Sequence, residues 1–397
     1  MHSGRTRSLL VVAEIVLALM LLASAGLLGE SFVRLQRVPP GFDPANVVTA
    51  RIALPDSNYG KGSQASDFFR KLLERLSILP GVNSAAASWW IPLSGSEIVF
   101  TFDIQERPQP KSNQPQAQVN VVTHEYFKTL RTNVVRGRSF NERDNFTAPK
   151  VAIITESFAK QFFPGEDPIG KRIQPNGSAE PGDPPLREIV GVVQDVHLIS
   201  LKEAPKPQIY IPHEQFPVQT LMVLVRTSQD VRTVGAELRD AVNEIDKGVP
   251  VYRFRPLTDY VSQSIAQPRL NAMLVGLFAL VALLLAAAGI FGVMSYSVTQ
   301  RTQEIGIRLA LGAQRYDVLR LIVGQGMRFV GLGLALGLLG VLASTRLLQS
   351  LLFGIGATDL RMMIAVSLIL TAVAFLACLL PARRATLVDP VRALRAE

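Results

Sequence analysis

The stretch Leu9-Leu-Val-Val-Ala-Glu-Ile-Val-Leu-Ala-Leu-Met-Leu-Leu-Ala-Ser-Ala-Gly-Leu-Leu28 decides the fold. It supplies the ~20 apolar residues that an α-helix needs to cross the hydrocarbon of a bilayer. In lipid every backbone N–H and C=O must be satisfied within the segment, so such a run is a helix. Three more runs of this kind crowd into the last third: Leu274 to Val293, Phe329 to Leu348 and Met362 to Leu380. Between the first and second runs lies a long polar stretch with no membrane-length segment. The predicted fold class is an α-helical integral membrane protein. Its four transmembrane helices fall in a 1+3 arrangement, with a large α+β exterior domain of two lobes.

Composition agrees with this layout. The 397 residues are 48% hydrophobic and only 18% charged. The net charge of +9 would suit a nucleic-acid binder. Much of the excess Arg, however, flanks the spans, at Arg5, Arg7, Arg301, Arg308, Arg315, Arg320, Arg383, Arg384, Arg392 and Arg395. Charge in those places sets orientation, so no nucleic-acid partner is expected and the partner surface is the lipid bilayer. The N-terminal tip, the loop after the second span and the tail are short and Arg-rich, which predicts that both termini are cytoplasmic. The Gln349 to Leu360 loop carries Asp359 and no Lys or Arg, so it belongs outside together with the large domain. The first run also has a basic start and an A-x-A pattern at Ala23, Ser24 and Ala25, as a cleaved signal peptide would. Its continuation through Leu27 and Leu28 favours a retained helix. Cys378 is the single cysteine and lies in the last span, so the exterior domain is held by its core rather than by disulfides.

The exterior stretch alternates strand-like and helix-like segments. Val47 to Leu54, Val82 to Ser88, Val99 to Ile104, Gln118 to Val122, Val151 to Thr155, Ile189 to Val193, Leu221 to Arg226 and Val251 to Phe254 read as strands. Ser66 to Leu79, His124 to Leu130, Glu156 to Phe163 and Val231 to Ile245 read as helices. Glu106 to Gln118 and Gln174 to Arg187 are rich in loop formers. The first and last blocks are expected to build one lobe, with the middle inserted as the other. No catalytic site is expected. The four histidines lack metal-ligand spacing, so no metal or cofactor is predicted in this chain. Asp195 and His197 could share a strand face, but a surface pair explains them as well. Neither G-x-S-x-G, H-E-x-x-H nor a P-loop occurs. Trp89-Trp90 reads as core packing, and the sequons at Asn145 and Asn176 read as ordinary loop residues.

The sharpest local pattern is Gln300-Arg-Thr-Gln-Glu-Ile-Gly-Ile-Arg-Leu-Ala-Leu-Gly-Ala-Gln-Arg315. On one continuous helix, Arg301, Glu304, Arg308 and Arg315 fall on a narrow stripe beside Ile305, Leu309 and Tyr316. Glu304 and Arg308 stand at i,i+4 in the favourable order. Gly312 is the expected break. Such a helix either floats at the lipid interface or receives a soluble partner. Within the spans, Gly333, Gly337 and Gly340 form a small-residue face for packing on another span or on a second protomer. Glu14 and Arg328 sit near the inner edges of their helices, and neither continues a proton relay.

These residues carry a family resemblance. Arg301-Thr-Gln-Glu-Ile-Gly-Ile-Arg-Leu-Ala-Leu-Gly-Ala313 resembles the cytoplasmic motif of the MacB/FtsX type of ABC transporter permease. The tail Pro381-Ala-Arg-Arg-Ala-Thr-Leu-Val-Asp-Pro390 resembles that family's ending. Phe163-Pro-Gly-Glu-Asp-Pro-Ile-Gly-Lys-Arg172, followed by Ile189-Val-Gly-Val-Val-Gln-Asp195, resembles its periplasmic core. Ser8 to Pro44 and the Leu352 to Asp359 loop look most like the duplicated orphan permeases of acidobacteria (ADOP). Those usually carry two four-helix units, so this chain reads as either a single-unit relative or a piece of a longer gene.

The resemblance implies a bacterial inner-membrane protein. It would have an N-terminal helix (1–30), a MacB-like periplasmic core domain (31–268) and an FtsX-like permease domain (269–397). The last would hold spans at about 271–296, 326–348 and 361–381, a coupling loop at 298–325 and a tail at 382–397. The expected partners are a separate ABC ATPase that binds ATP, a second permease unit (a copy or a paralogue), and a periplasmic adaptor with an outer-membrane channel. Arg301, Glu304, Ile305, Arg308, Leu309 and Arg315 would contact the ATPase. Efflux by mechanotransmission is the leading expectation. Signalling to a cell-wall hydrolase and lipoprotein extraction are the alternatives.

Overall fold

The computed structural model describes residues 2–176, 184–311, 314–349, 352–354 and 359–386. The Gly312 break, the second half of the Asn176 sequon and the tail beyond residue 386 lie outside them. The chain forms two compact units, one from residues 1–37 and 266–397, the other from 38–265.

The first helix, α1, runs from His2 to Gln36. The second unit then begins with β1 (Val47–Ala53), a one-turn α2 (Asp56–Tyr59), α3 (Gly62–Ser77) and β2 (Val82–Ser88). Next come β3 (Val99–Ile104), β4 (Gln116–Val122), α4 (Tyr126–Leu130), β5 (Val134–Gly137), β6 (Val151–Thr155) and α5 (Glu156–Phe162). It is completed by β7 (Arg172–Pro175), β8 (Arg187–Val193), β9 (Gln208–Pro212), β10 (Thr220–Thr227), α6 (Val231–Ile245), β11 (Val251–Pro256) and α7 (Leu257–Ser264).

The expected two lobes correspond to two cores. In the first, β11, β1, β10 and β2 form an antiparallel sheet in that order. Period-2 alternation turns Val48, Ala50 and Ile52 of β1 and Leu221, Val223 and Val225 of β10 to one face. Helices α3 and α6 cover that face. In α3 the buried positions Ala65, Phe68, Phe69, Leu72, Leu73 and Leu76 recur at helical spacing. Each large side chain so buried contributes about 1.5–3 kcal/mol. Asp230 caps α6 by accepting from the Arg232 N–H.

The second lobe is a ring. Strands β4, β3, β7, β8, β6 and β9 pair in sequence, and β9 returns to pair with β4 in parallel. Closure leaves none of these six with a free edge, and β8 carries β5 as a further partner. Phe102, Phe158, Ile154, Ile189, Ile209 and Ile211 fill the interior. Trp89 and Val218 pack against both cores, and Trp89 stacks on Trp90 at 5.8 Å, as expected for core packing. Three strands escaped the sequence reading. β9 is bounded by Pro207 and Pro212 and is buried at every position, so it shows no alternation. β5 and β7 are four residues each, too short for a period.

In the first unit α1 is followed by α8 (Ala266–Gln300), α9 (Thr302–Ala310), α10 (Arg315–Gln349) and α11 (Leu360–Ala385). Four of these, α1, α8, α10 and α11, are long and apolar enough to span a membrane. Asp359 caps α11 through the Arg361 and Met362 N–H groups. Ile15, Ala18 and Leu19 of α1 are buried with Ile290 of α8, Val330 of α10 and Leu370 of α11. Only 17% of the apolar window of α8 is buried, and 28% of each of the other three. Side chains such as Leu277, Leu284, Leu368 and Leu376 are exposed. Apolar surface on that scale requires lipid around it.

Candidate coupling site

The Gln300 to Arg315 segment folds as a helical hairpin, not as one helix. α8 ends at Gln300, and Arg301 makes the turn by donating its backbone N–H to Val298 O at 3.1 Å. The Thr302 hydroxyl closes the end of α8 on Val298 O and Thr299 O. α9 then carries Glu304, Ile305 and Arg308, and Arg315 opens α10. The single stripe expected to run from Arg301 to Arg315 is therefore broken. Arg315 is exposed on a different helix, and Tyr316 beside it is 68% exposed rather than part of an apolar face. The side chain of Leu309 lies outside the described residues.

What remains is a compact constellation. Arg308 Nη2 donates to Glu304 Oε1 at 2.6 Å, with both side chains about half exposed. Arg301 Nη1 reaches across to Gln325 Oε1 of α10 at 3.4 Å. Ile305 is 5% exposed and packs with Val318, Ile322 and Val323, which fastens α9 to α10. Between the helices is a small open pocket. Val298, Ile305, Leu321 and Ile322 supply its apolar lining, and Ser297, Arg301, Glu304, Arg308 and Gln325 its polar lining. An exposed i,i+4 pair stabilises a helix by only about 0.3–0.5 kcal/mol. The charges are thus nearly dispensable for the fold and remain available to a partner. The sequence reading did not name Ser297, Val298, Leu321, Ile322 or Gln325 as coupling residues. Their place follows from the antiparallel register of α8 and α10, which no local pattern encodes.

Of the two partners expected for the glycine face, another span or a second protomer, the structure supplies the first. A Cβ on Gly333 would lie 2.5 Å from Ile15 Cγ2, one on Gly337 2.7 Å from Leu19 Cδ2, and one on Gly340 2.8 Å from Met20 Sδ. This face is therefore filled by α1 of the same chain. Glu14 lies against Gly289 of α8, and its Oε2 has no hydrogen-bond partner among the described residues.

In the exterior unit Asp195 and His197 do not form a pair. Asp195 accepts from the Ser157 N–H at 2.8 Å, and His197 Nδ1 meets Ser200 O at 3.1 Å. Burial pushes His213 down to about 4, opposed by its bond to Val218 O, and so keeps it neutral. Burial likewise draws Arg187 down to about 10, its guanidinium donating to Gln215. Asn145 forms a loop turn by accepting from Thr147 and Ala148.

Comparison with known proteins places both regions. The family described as the MacB-like periplasmic core domain matches residues 8–241, and the FtsX-like permease C-terminal family matches residues 276–390. The macrolide export ATP-binding/permease protein MacB of Marinobacter nauticus is 26% identical over 291 residues, 71% of this chain and 44% of that protein. The uncharacterized ABC transporter permease YknZ of Bacillus subtilis is 26% identical over 297 residues, covering 71% of this chain and 70% of that one. The pyoverdine export ATP-binding/permease protein PvdT of Pseudomonas syringae is 29% identical over 66% of this chain and 40% of its own length. This chain thus spans less than half the length of these two exporters. Among solved structures, the periplasmic region of MacB from Actinobacillus actinomycetemcomitans aligns over 59% of this chain and 98% of that one, with 16% identity and a TM-score of 0.37.

Proposed function

Because the chain belongs to the MacB-like periplasmic core domain family, with an FtsX-like ABC permease region behind it, we propose that it is the membrane subunit of an export machine driven by a separate ATPase. ATP is bound and hydrolysed by that partner. The α9 hairpin takes up its motion, and the helices pass it to the exterior domain, which acts on substrate in the periplasm. The observation that carries this reading is the hairpin itself. It presents a charged pair of little structural worth beside an apolar-lined pocket, on a helix fastened to α10 through Ile305. A load applied to α9 is therefore delivered to a spanning helix. The chain works with a second permease unit, a copy or a paralogue, in the inner membrane, with both termini cytoplasmic. A periplasmic adaptor with an outer-membrane channel would carry the exported substrate onward.

The test is capture of the ATPase with the intact chain from its native membrane in mild detergent. Glu304→Arg and Arg308→Glu, each alone, should cut ATPase recovery at least several-fold while membrane insertion is kept. The double reversal restores the ion pair within α9 but presents it backwards, so recovery should stay low. Wild-type recovery in all three would remove the hairpin from the coupling role.

A further inference from the structure

The face of α10 opposite the packed glycines is also built, and no described residue covers it. At 100° per residue, Arg320, Gly324, Arg328, Gly331 and Ala335 fall within about 80° of arc. All five are exposed. A Cβ placed on Gly324 or Gly331 would meet no atom within 4 Å. Neither arginine has a carboxylate within ion-pair distance among the described residues. Asp317, one turn from Arg320, instead accepts from the Gln314 N–H at 3.1 Å. Two unpaired guanidinium groups therefore flank an open notch, with a shallow apolar surface beyond it.

Direction matters as much as composition. Side chains on a helix lean toward its N-terminus. The N-terminus of α10 is its wet end, because the hairpin with Arg301, Glu304 and Arg308 lies there. Arg328 sits one turn further into the span than Gln325, the partner of Arg301. From that depth its guanidinium leans back toward the level of Gly324 and Arg320. The two backbone positions are about 12 Å apart at 1.5 Å per residue, and Gly324 lies midway, about 6 Å along the axis from each, within the reach of a long arginine side chain. We propose that Arg320, Gly324 and Arg328 form a headgroup site for an anionic phospholipid, the phosphate over Gly324 and an acyl chain along Gly331 and Ala335.

Charge selects this occupant. A second copy related by a twofold along the membrane normal would set Arg328 toward Arg328 on this face, like charge on like. A soluble ATPase does not reach a residue inside the apolar stretch. A lipid phosphate does, and lipid is present wherever the chain spans a membrane. The assignment rests on the membrane reading alone and is independent of any ATPase.

Native mass spectrometry of the full chain in detergent tests it, with phosphatidylglycerol and phosphatidylcholine added at equal concentration. The wild type should retain phosphatidylglycerol preferentially. Each arginine near a charged headgroup is worth about fivefold in affinity, so R320Q/R328Q should weaken retention by roughly 25-fold and leave phosphatidylcholine retention unchanged. R320K/R328K should keep most of it. Gly324→Leu fills the notch without altering charge and should also lower it, with an unchanged charge-state distribution showing that the chain is folded. Arg361→Gln, at the opposite end of the spans, should have no effect. Equal retention of the two lipids by the wild type would overturn the site. So would undiminished phosphatidylglycerol retention in R320Q/R328Q, or a change there in oligomeric state alone.

Discussion

His213 shows how a single residue ties the exterior domain to pH. It is 2% exposed and packs edge-on against Phe69, so its charged form is disfavoured and it titrates at about 4. Unfolded, it would take up a proton near its ordinary value of 6.5. Its contribution to stability is thus complete above about 6.5 and is lost as pH falls toward 4. Over the whole window the difference is about 3 kcal/mol, with about 2 kcal/mol gone by pH 5. Both tryptophans of the chain, Trp89 and Trp90, lie in this domain, so their emission reports its unfolding alone. Denaturant midpoints should drop between pH 7.5 and 5 in the wild type and drop much less in His213→Gln. Equal pH dependence in both would exclude His213 as the source. Arg226 presents the opposite case, a charge kept buried because it is satisfied. It donates to Thr129 O, Ala45 O and Asp43 O at 2.7 Å each, and its pair with Asp43 Oδ2 is 3.2 Å. Burial alone would raise Asp43. Its bond from Ala45 and the charges of Arg226 and Arg131 outweigh that and hold it below its usual range.

At the scale of elements, α10 is a helix with two small-residue faces and two uses for them. The Gly333, Gly337 and Gly340 face admits α1 so closely that any Cβ would collide with it. Gly337→Leu should therefore pry α1 from α10 and cost about 1–3 kcal/mol, the range for overpacking. Gly292→Leu on α8, where nothing lies within 4 Å, is the matched control. Thermal aggregation of the purified chain in detergent should begin several degrees lower for the first substitution and at the wild-type temperature for the second. α9 is the reverse of a packed helix. Among its described side chains Ile305 fastens it to α10, and the Glu304 and Arg308 side chains are exposed. The Gly-rich pattern, the Glu304–Arg308 spacing and the four spans were all legible as local periodicity. The partner of each face was not, because 3.6-residue spacing says which residues align and never what they align against.

For the molecule as a whole, the decisive question is which side of the membrane each unit meets. The proposed orientation, with the Arg-rich ends inside, predicts that a cysteine at Ser57 on α2 and one at Gln303 on α9 lie on opposite faces. In a Cys378→Ser background, an impermeant maleimide applied to spheroplasts should label Ser57→Cys at once and Gln303→Cys only after permeabilisation. The reverse pattern would invert the topology and remove the hairpin from the side where ATP is available.

The amino-acid sequence by itself determined the number and order of the spans, the two-block exterior domain, most of its strands and helices, and the family. The family rests on the resemblance of its motifs; the others depend on composition and short-range period, which survive without a fold. Only the tertiary structure decided that the Gln300 to Arg315 motif is a hairpin, with Arg315 on the second helix. It also decided that the predicted glycine face is consumed within the chain while a second one stays open, and that β4 and β9 close the second lobe into a ring. Each joins residues far apart in the chain. Such pairings are selected by the simultaneous burial of many side chains, a condition no local window of sequence contains.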